Sequence, residues 1–435
     1  MATGIITPIV NIRPHPNADR LVLGSAAGYQ VIVGLDTVEG TLGIFIPCDM
    51  QLSLEMCRRN NLHRHANLNI DPKAKTGFFD DNRRVRTQKF RGEISEGFWC
   101  SLSFLAWTGI NFDKLKQGKL VSELNGELVC SKYYTPATRR AMGISQGKGK
   151  QSRKTQLKLM YPTFLEHYDT PQLRMAIKNI PKGAILNISE KCHGTSGRTG
   201  YLQEQKPMNW FKKRWNAIIG KFGLKFEEYR YRYVSGTRRV TIDPDLSGEI
   251  DFYAGKQFRN KVHENFKGLL HPGETVYYEI LGYDEQGGLI MGAHNIVDNT
   301  LKKVYGGKMV YSYGCKPGEC KVVVYRITRT LVDGDVEDLS WSQMVNRCDQ
   351  LGFAHVPMLA GPIIYDGDSE NLSILCEKLS RGNSTLDEGH IKEGVVVRVE
   401  SQGRTINYKY KSWIFCDLEG IAKNSDNYVD IEDIF

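Results

Sequence analysis

The chain has 435 residues and a formal net charge of +9, and it is 41% hydrophobic and 10% aromatic. That length suits two or three domains with substantial cores, and the absence of any run of 18 apolar residues excludes a membrane-spanning helix. The modest basicity favours a polyanionic partner without proving one.

Met1 to Pro14 carry neither the apolar core of a secretory signal nor an amphipathic Arg-rich transit pattern. The ten cysteines are scattered through apolar stretches such as Phe98-Trp99-Cys100, and only Cys315 and Cys320 form a close pair. A zinc site needs a second pair, so buried free thiols in a soluble, intracellular protein are expected. Residues 1–130 show short apolar runs, Val31-Ile32-Val33 and Leu42 to Ile46 among them, between Gly, Pro and Asp turns. That spacing predicts a small β-barrel. Within it Arg83, Arg84, Arg86, Lys89 and Arg91 form a basic run, either a solvated loop or a contact to phosphates.

No acidic residue occurs from Arg139 to Leu165, whereas Arg139, Arg140, Lys148, Lys150, Arg153, Lys154 and Lys158 alternate with Gly, Ser and Gln. Residues 131–160 therefore read as a basic linker, a flexible connection or a strap along a phosphate backbone. From Tyr161 the pattern becomes mixed α/β, with strand-like segments at 184–191, 275–281, 321–327, 394–400 and 405–411. Residues 203–228 read as an insertion in which Phe211, Trp215, Ile218, Ile219 and Phe222 recur at helical spacing.

The segment Glu190-Lys191-Cys192-His193-Gly194-Thr195-Ser196 closes the apolar run Ala184 to Ile188. A lysine amine is a poor nucleophile at its usual pKa of roughly 10.4, but desolvation and neighbouring cations can activate it. Attack on phosphorus by such an amine also needs carboxylates to hold a divalent metal and cations on the transferring phosphates. Glu279 sits near the end of the apolar segment Val276 to Gly282, and Glu393 opens the apolar run Gly394-Val395-Val396-Val397. A charge in either place is expensive unless paired or metal-bound. Lys409 and Lys411 flank Tyr410, so on an extended strand both amines face one side. Each motif alone is more often structural. Their order and spacing in one chain carry the signal.

Taken in order, Glu190 to Ser196, Ser235-Gly236-Thr237-Arg238-Arg239, the Glu279 segment, Lys392 to Arg398 and Lys409-Tyr410-Lys411-Ser412 resemble the motifs of the covalent nucleotidyltransferases. That superfamily includes polynucleotide ligases and mRNA capping enzymes. His193 stands where DNA ligases and capping enzymes usually carry Asp, and with His167-Tyr168-Asp169-Thr170 it is similar to the nick-sealing RNA ligases. Ile12 to Leu21 resembles OB-type tRNA-binding modules; Asp81 to Arg86 and Lys89 to Gly97 resemble the N-terminal module of one RNA ligase class.

The resemblance implies a multidomain chain: an OB-like RNA-binding β-barrel over 1–130, the linker, and an α/β nucleotidyltransferase (adenylation) domain with antiparallel sheets over 161–435. It implies an ATP-dependent RNA ligase that forms a lysyl-AMP on Lys191, adenylylates an RNA end and joins a 5′-phosphate to a 3′-hydroxyl. Lys409 and Lys411 would act on the phosphates. Glu190, His193, Gly194, Ser196, Arg238, Glu279, Tyr325 and Glu393 would hold the nucleotide, Tyr325 by stacking on the base and Glu190 by accepting from the adenine amine. Glu279, Glu393 and His193 would hold Mg2+ or Mn2+. The implied partner is nicked or broken duplex RNA, tRNA or an RNA–DNA hybrid, met by a monomer.

A capping guanylyltransferase and a DNA ligase are the rival enzymes, disfavoured by His193 and the N-terminal barrel. A tRNA-binding factor is the non-enzyme alternative. Many members of the superfamily carry Arg five positions after the nucleophile; Ser196 stands there, and Arg198 lies two residues on. Every candidate chemical residue lies beyond Tyr161, which predicts that residues 1–130 position RNA and take no part in charging the lysine.

Overall fold

The computed structural model describes residues 3–73, 77–145, 158, 160–168, 170–205, 210, 214–215, 228–242, 258–401, 403–425 and 428. Strands β1 (Gly4–Pro14), β2 (Leu21–Ala26), β3 (Tyr29–Gly34), β4 (Leu42–Pro47) and β5 (Gly97–Ser101) lie in the order β3-β2-β1-β4-β5. Leu120–Val121 completes this antiparallel sheet beside β1. The sheet curls until its outer strands meet, where the Glu96 amide donates to the Gln30 carbonyl at 2.9 Å. A bulge between Val10 and Arg13, with Asn11 at φ 55°, bends β1 through this curve. Ile5, Ile9, Phe45 and Trp99 fill one side of the sheet, whereas Ile6, Ile44, Ile46 and Leu105 pack on the other. Burial on both faces explains why β4 reads as a continuous apolar run rather than an alternation.

Cys130–Lys132 pairs with Met50–Leu52, and helix α1 (Pro136–Ser145) follows, Arg139 donating to Gln51 at 2.9 Å. The start of the expected linker is thus folded onto the N-terminal half. Lys148, Lys150, Arg153 and Lys154 lie outside the described residues, and Lys158 pairs with Glu166 at 3.1 Å.

The C-terminal half is built on two sheets. Strands β6 (Ile185–Lys191), β7 (Thr195–Gln205), β8 (Tyr229–Gly236), β9 (Glu274–Gly282), β10 (Cys320–Thr330), β11 (Met358–Ile364), β12 (Gly394–Ser401) and β13 (Arg404–Lys411) supply them. One sheet runs β11-β6-β12-β13, and the other is centred on β8-β7-β9-β10. All these pairings are antiparallel; the two-residue strand Ala354–His355 alone joins β10 in parallel. The expected antiparallel architecture and all five strand-like segments are present. The pairing of β7 with β8 reaches Gln205 and Tyr229, so residues 203–205 of the expected insertion belong to a strand. Phe211, Ile218, Ile219 and Phe222 lie outside the described residues.

Helix α2 (Trp341–Leu351) begins with a capping box between Ser340 and Gln343. Its Trp341, Met344 and Cys348 pack on Ile280, Val323 and Ile327 of the larger sheet. Helix α3 (Ser369–Ser380) lays Leu372 and Cys376 over Ile188, Val395 and Val397 of the smaller one. Helix α4 (Trp413–Ala422) starts directly after β13 and is capped by Ser412.

Three cations of the basic run of the N-terminal half lie at its junction with the C-terminal half. Arg84 is buried and donates to the Gly420 carbonyl at 2.9 Å, Arg86 donates to Asn424 at 3.2 Å, and Lys89 pairs with Asp298 at 2.8 Å. These cations dock the two halves together. Arg174 adds to the seam: its guanidinium lies over Tyr29 and Tyr410, 4.6 and 4.3 Å from the ring centroids, and bonds Glu96 at 2.9 Å.

Candidate active site

Lys191 ends β6 and lies opposite Gly394 of β12, which lies opposite Lys411 of β13. Two residues back, Ser189, Val396 and Lys409 form the same row. Side chains alternate across a sheet, so Lys191, Lys409 and Lys411 share one face and Glu190 points to the other. That other face carries Ile188, Val395 and Val397 beneath α3, and Glu190, at the end of the strand, reaches the rim of the site. The lysine face borders a cavity of about 1750 Å3 between the two halves, whose lining includes Lys191, Lys409, Lys411, Glu190, Ser196, Arg238, Glu279 and Tyr325.

Glu393 stands behind that wall and holds it together. One carboxylate oxygen lies 2.8 Å from Lys191 Nζ and 3.2 Å from Lys411 Nζ. Burial alone would raise the Glu393 carboxyl, but the two ammonium groups outweigh it and hold it well below the usual carboxylate range. Burial likewise opposes the Lys411 charge, and Glu419 with Glu393 overcomes it, raising that pKa well above its ordinary value. The second oxygen, Oε2, is buried and accepts no hydrogen bond; His193 Nδ1 is 3.6 Å away, too far for one. The His193 ring is caged by Tyr311, Phe415 and His294, and its backbone N–H donates to the Tyr313 hydroxyl at 2.5 Å.

Two glycines permit this crowding. A Cβ on Gly394 would fall 2.1 Å from the Tyr410 carbonyl oxygen, and one on Gly194 would fall 2.6 Å from that of Ile280. Only hydrogen fits either place. Gly194 thereby lets the chain cross closely from β6 onto the larger sheet.

There Ser196 lies opposite Glu279 and donates to its Oε2 at 3.1 Å. Tyr325 is the extra residue of a bulge: Tyr277 pairs with Arg326 and Tyr278 with Val324. A bulge re-aims its side chain, here to the cavity, edge-on to His167 at 5.5 Å. That irregularity is why simple alternation along Val322 to Tyr325 left its register open. Arg238 follows β8, and its carbonyl accepts from the His167 N–H at 3.1 Å, which ties the His167-Tyr168 segment to the site. Asp169 lies outside the described residues. Arg198 does not line the cavity. It is buried over Phe164 at 4.3 Å and donates to the Leu165 carbonyl at 2.5 Å, a structural pin for the start of the C-terminal half.

Glu190 is held by partners nearly two hundred residues away, to which no local pattern points. Its carboxylate accepts from the Ser384 hydroxyl at 2.5 Å and from the N–H and hydroxyl of Thr385 at 2.9 and 2.7 Å. Arg259, also unanticipated, donates to the Ser196 carbonyl at 2.6 Å and to the Thr195 hydroxyl. Glu419 had a legible signal, an acid inside the apolar run Trp413 to Ala422, where an unpaired charge is costly. Among the described residues no three His, Cys, Asp or Glu side chains converge as a ready-made metal cluster.

The RNA ligase family model matches residues 185–411, more than half of the chain and the span that holds every candidate residue. The chain belongs to the RNA ligase family. Solved structures of Naegleria gruberi RNA ligase share the fold of this RNA ligase family member over nearly its whole length. An apo mutant is 15% identical and covers 96% of this chain and 97% of its own, with a TM-score of 0.58. The structure with PPi is 16% identical, covering 95% and 98%, also at 0.58. A mutant with ATP and Mn is 15% identical, covering 96% and 99%, again at 0.58. No curated protein matches the ligase in sequence. Among its described residues no helix is long and apolar enough to cross a membrane.

Proposed function

We propose that this family member is an ATP-dependent RNA ligase that works through AMP carried on Lys191. One juxtaposition supports the reading most: the Lys191 amine lines a cavity between two sheets, 2.8 Å from a carboxylate that Lys411 also contacts. The choice of an adenosine nucleotide and a divalent metal draws on the Naegleria protein, solved with ATP and Mn, with AMP and Mn, and with PPi.

In the first step the Lys191–Glu393 pair opens, the ammonium gives its proton to water, and the neutral amine attacks the α-phosphorus. A nitrogen–phosphorus bond forms, the bond from the α-phosphorus to the α,β-bridging oxygen breaks, and pyrophosphate leaves with that oxygen. In the second step an oxygen of an RNA 5′-phosphate attacks the same phosphorus and frees Lys191. In the third a 3′-hydroxyl attacks that 5′-phosphate and AMP leaves. Lys409 and Lys411 place cations on the phosphoryl oxygens, worth most where water is excluded.

Tyr325 offers a ring face to the base, Arg238 a cation at the cavity wall, and Gly194 and Ser196 shape the pocket beside them. Glu190 already accepts three hydrogen bonds, leaving one of roughly four lone-pair directions for an adenine amine. Glu393, through its unsatisfied Oε2, and Glu279 would hold a divalent ion, which would neutralise phosphoryl charge. His193 stands behind Glu393, on the carboxylate rather than in the cavity.

The deciding experiment incubates the protein with α-labelled ATP and, separately, α-labelled GTP. Expected is a covalent adduct from ATP alone, absent in Lys191→Ala, with faster sealing of RNA nicks than of DNA nicks. Labelling of Lys191→Ala would refute the nucleophile, and labelling by GTP in place of ATP would point to a capping enzyme. Because later steps use other groups, Lys191→Ala is expected to retain partial sealing of a pre-adenylated strand.

A further inference from the structure

Lys411 is held from two sides, 3.2 Å from Glu393 and 3.0 Å from Glu419 on α4. The other oxygen of Glu419 lies 3.1 Å from Lys423 Nζ. Lys423 lies 3.3 Å from Asp49 of the N-terminal half, and the same Asp49 oxygen is 3.4 Å from Arg84. Arg84 also donates to the Gly420 carbonyl at 2.9 Å, gripping α4 beside Glu419. From Arg84 to Lys191 the charges thus alternate in sign along one unbroken chain that crosses the seam between the halves.

The middle of that chain is nearly dry: the side chains of Lys423 and Glu419 are 6% and 9% exposed. Buried charges persist only when paired, and removing one partner disturbs the other. Burial would raise the carboxyls of Asp49 and Glu419, yet Lys423 for the first and Lys411 with Lys423 for the second hold both below their usual values. Asp49 sits at the turn after β4 with φ 67°, a conformation uncommon for a residue other than glycine. Its backbone N–H donates to the Val85 carbonyl at 3.1 Å, which fixes that turn beside Arg84.

We infer that Asp49 is a positioning residue for nucleotidyl transfer, setting Lys411 through Lys423 and Glu419 and so linking the docked N-terminal half to the charging of Lys191. Glu419 divides its carboxylate between two ammonium groups. When Asp49 loses its charge, Lys423 draws harder on Glu419, and Lys411 shifts toward Glu393 and away from the phosphates it must meet. Displacement of about 1 Å by a change remote from the chemistry is enough to slow a reaction up to about a hundredfold. The inference departs from the expectation that residues 1–130 play no part in charging the lysine. The inference rests on Lys191 being the nucleophile.

The test measures single-turnover adduct formation from labelled ATP by the full chain, with Lys191→Ala as control. Asp49→Asn is expected to lower the maximal rate about tenfold or more while leaving the ATP concentration for half-maximal rate within about twofold. Asp49→Glu, which keeps the charge, is expected to restore most of that rate. The double variant Asp49→Asn with Lys423→Gln is expected to lose no more than Lys423→Gln alone, since coupled residues are not additive.

Native-rate labelling by Asp49→Asn overturns the inference, as does a loss confined to the half-maximal ATP concentration. So does a loss that Asp49→Glu shares and that multiplies with Lys423→Gln, because that pattern reports general damage to the fold. If Asp49→Asn does not fold, the comparison of Asp49→Glu with the double variant decides by the same criteria. Adduct on Lys191→Ala would instead remove the underlying reading, leaving the two failures distinct.

Discussion

Glu393 is the residue on which the site turns, since one of its oxygens serves two ammonium groups and the other serves none. Replacing it by Gln removes the charge while keeping the shape. Sealing by Glu393→Gln is expected to fall at least about a hundredfold, as loss of preorganised charge or a metal ligand usually does. Near-native sealing in low millimolar magnesium would take Glu393 out of the chemistry. Behind it, His294 is fully buried, bonded through Nδ1 to the Tyr311 hydroxyl at 3.1 Å, and burial together with His193 lowers its pKa to about 3.

An unfolded histidine takes its proton near 6.5, so between about 3 and 6.5 the unfolded chain binds a proton that the folded one refuses. The neutral burial of His294 is thus fully tolerated above pH 6.5, and stability falls as pH drops from there toward 3. Thermal midpoints taken from pH 7 to pH 4 are expected to fall less steeply for His294→Gln than for the native chain. Equal slopes would show that His294 is not the group being titrated.

At the scale of elements, the site is a matter of register. Lys191, Gly394 and Lys411 stand side by side only because β6, β12 and β13 pair as they do, and a slip by one residue would turn the lysines into the apolar face. Gly394 is the weak point, since a methyl there meets the backbone of both Tyr410 and Lys411. Gly394→Ala is expected to push β12 and β13 apart beside Lys411 and to destabilise the fold by about 1–3 kcal/mol. It is expected to abolish most adduct formation. Denaturant unfolding together with ATP labelling checks both parts, and a variant that labels normally would show that the strands can separate there without moving Lys411.

At the scale of the molecule, two halves that each carry a core are joined by buried charge and stacked rings rather than by a shared apolar core. Arg174 is the central staple, lying between Tyr29 and Tyr410 and bonded to Glu96. Its loss strands a carboxylate that is 15% exposed, and breaking such a pair from one side costs roughly 3–5 kcal/mol when burial is complete. Arg174→Ala is expected to lose somewhat less than that, and to unfold in two separable steps as the halves come apart. Calorimetry that shows one undivided transition at the native midpoint would argue that the other bridges suffice.

The sequence by itself determined the ordered motifs, the antiparallel strands that carry them, the barrel-like start and the lysine on which the family's chemistry would turn. These are local properties: apolar periodicity marks a strand, and an acid or lysine inside such a strand advertises the expense of its charge. Tertiary structure alone decided what those charges touch. Ser384 and Thr385 on Glu190, the bulge that aims Tyr325, and Asp49 reaching the helix after Lys411 all join residues far apart in the chain. Periodicity says which face a side chain takes but not which distant segment arrives there. The basic run from Arg83 shows the same divide, since its cations were plain in the sequence while their use at the seam depended on where α4 came to rest.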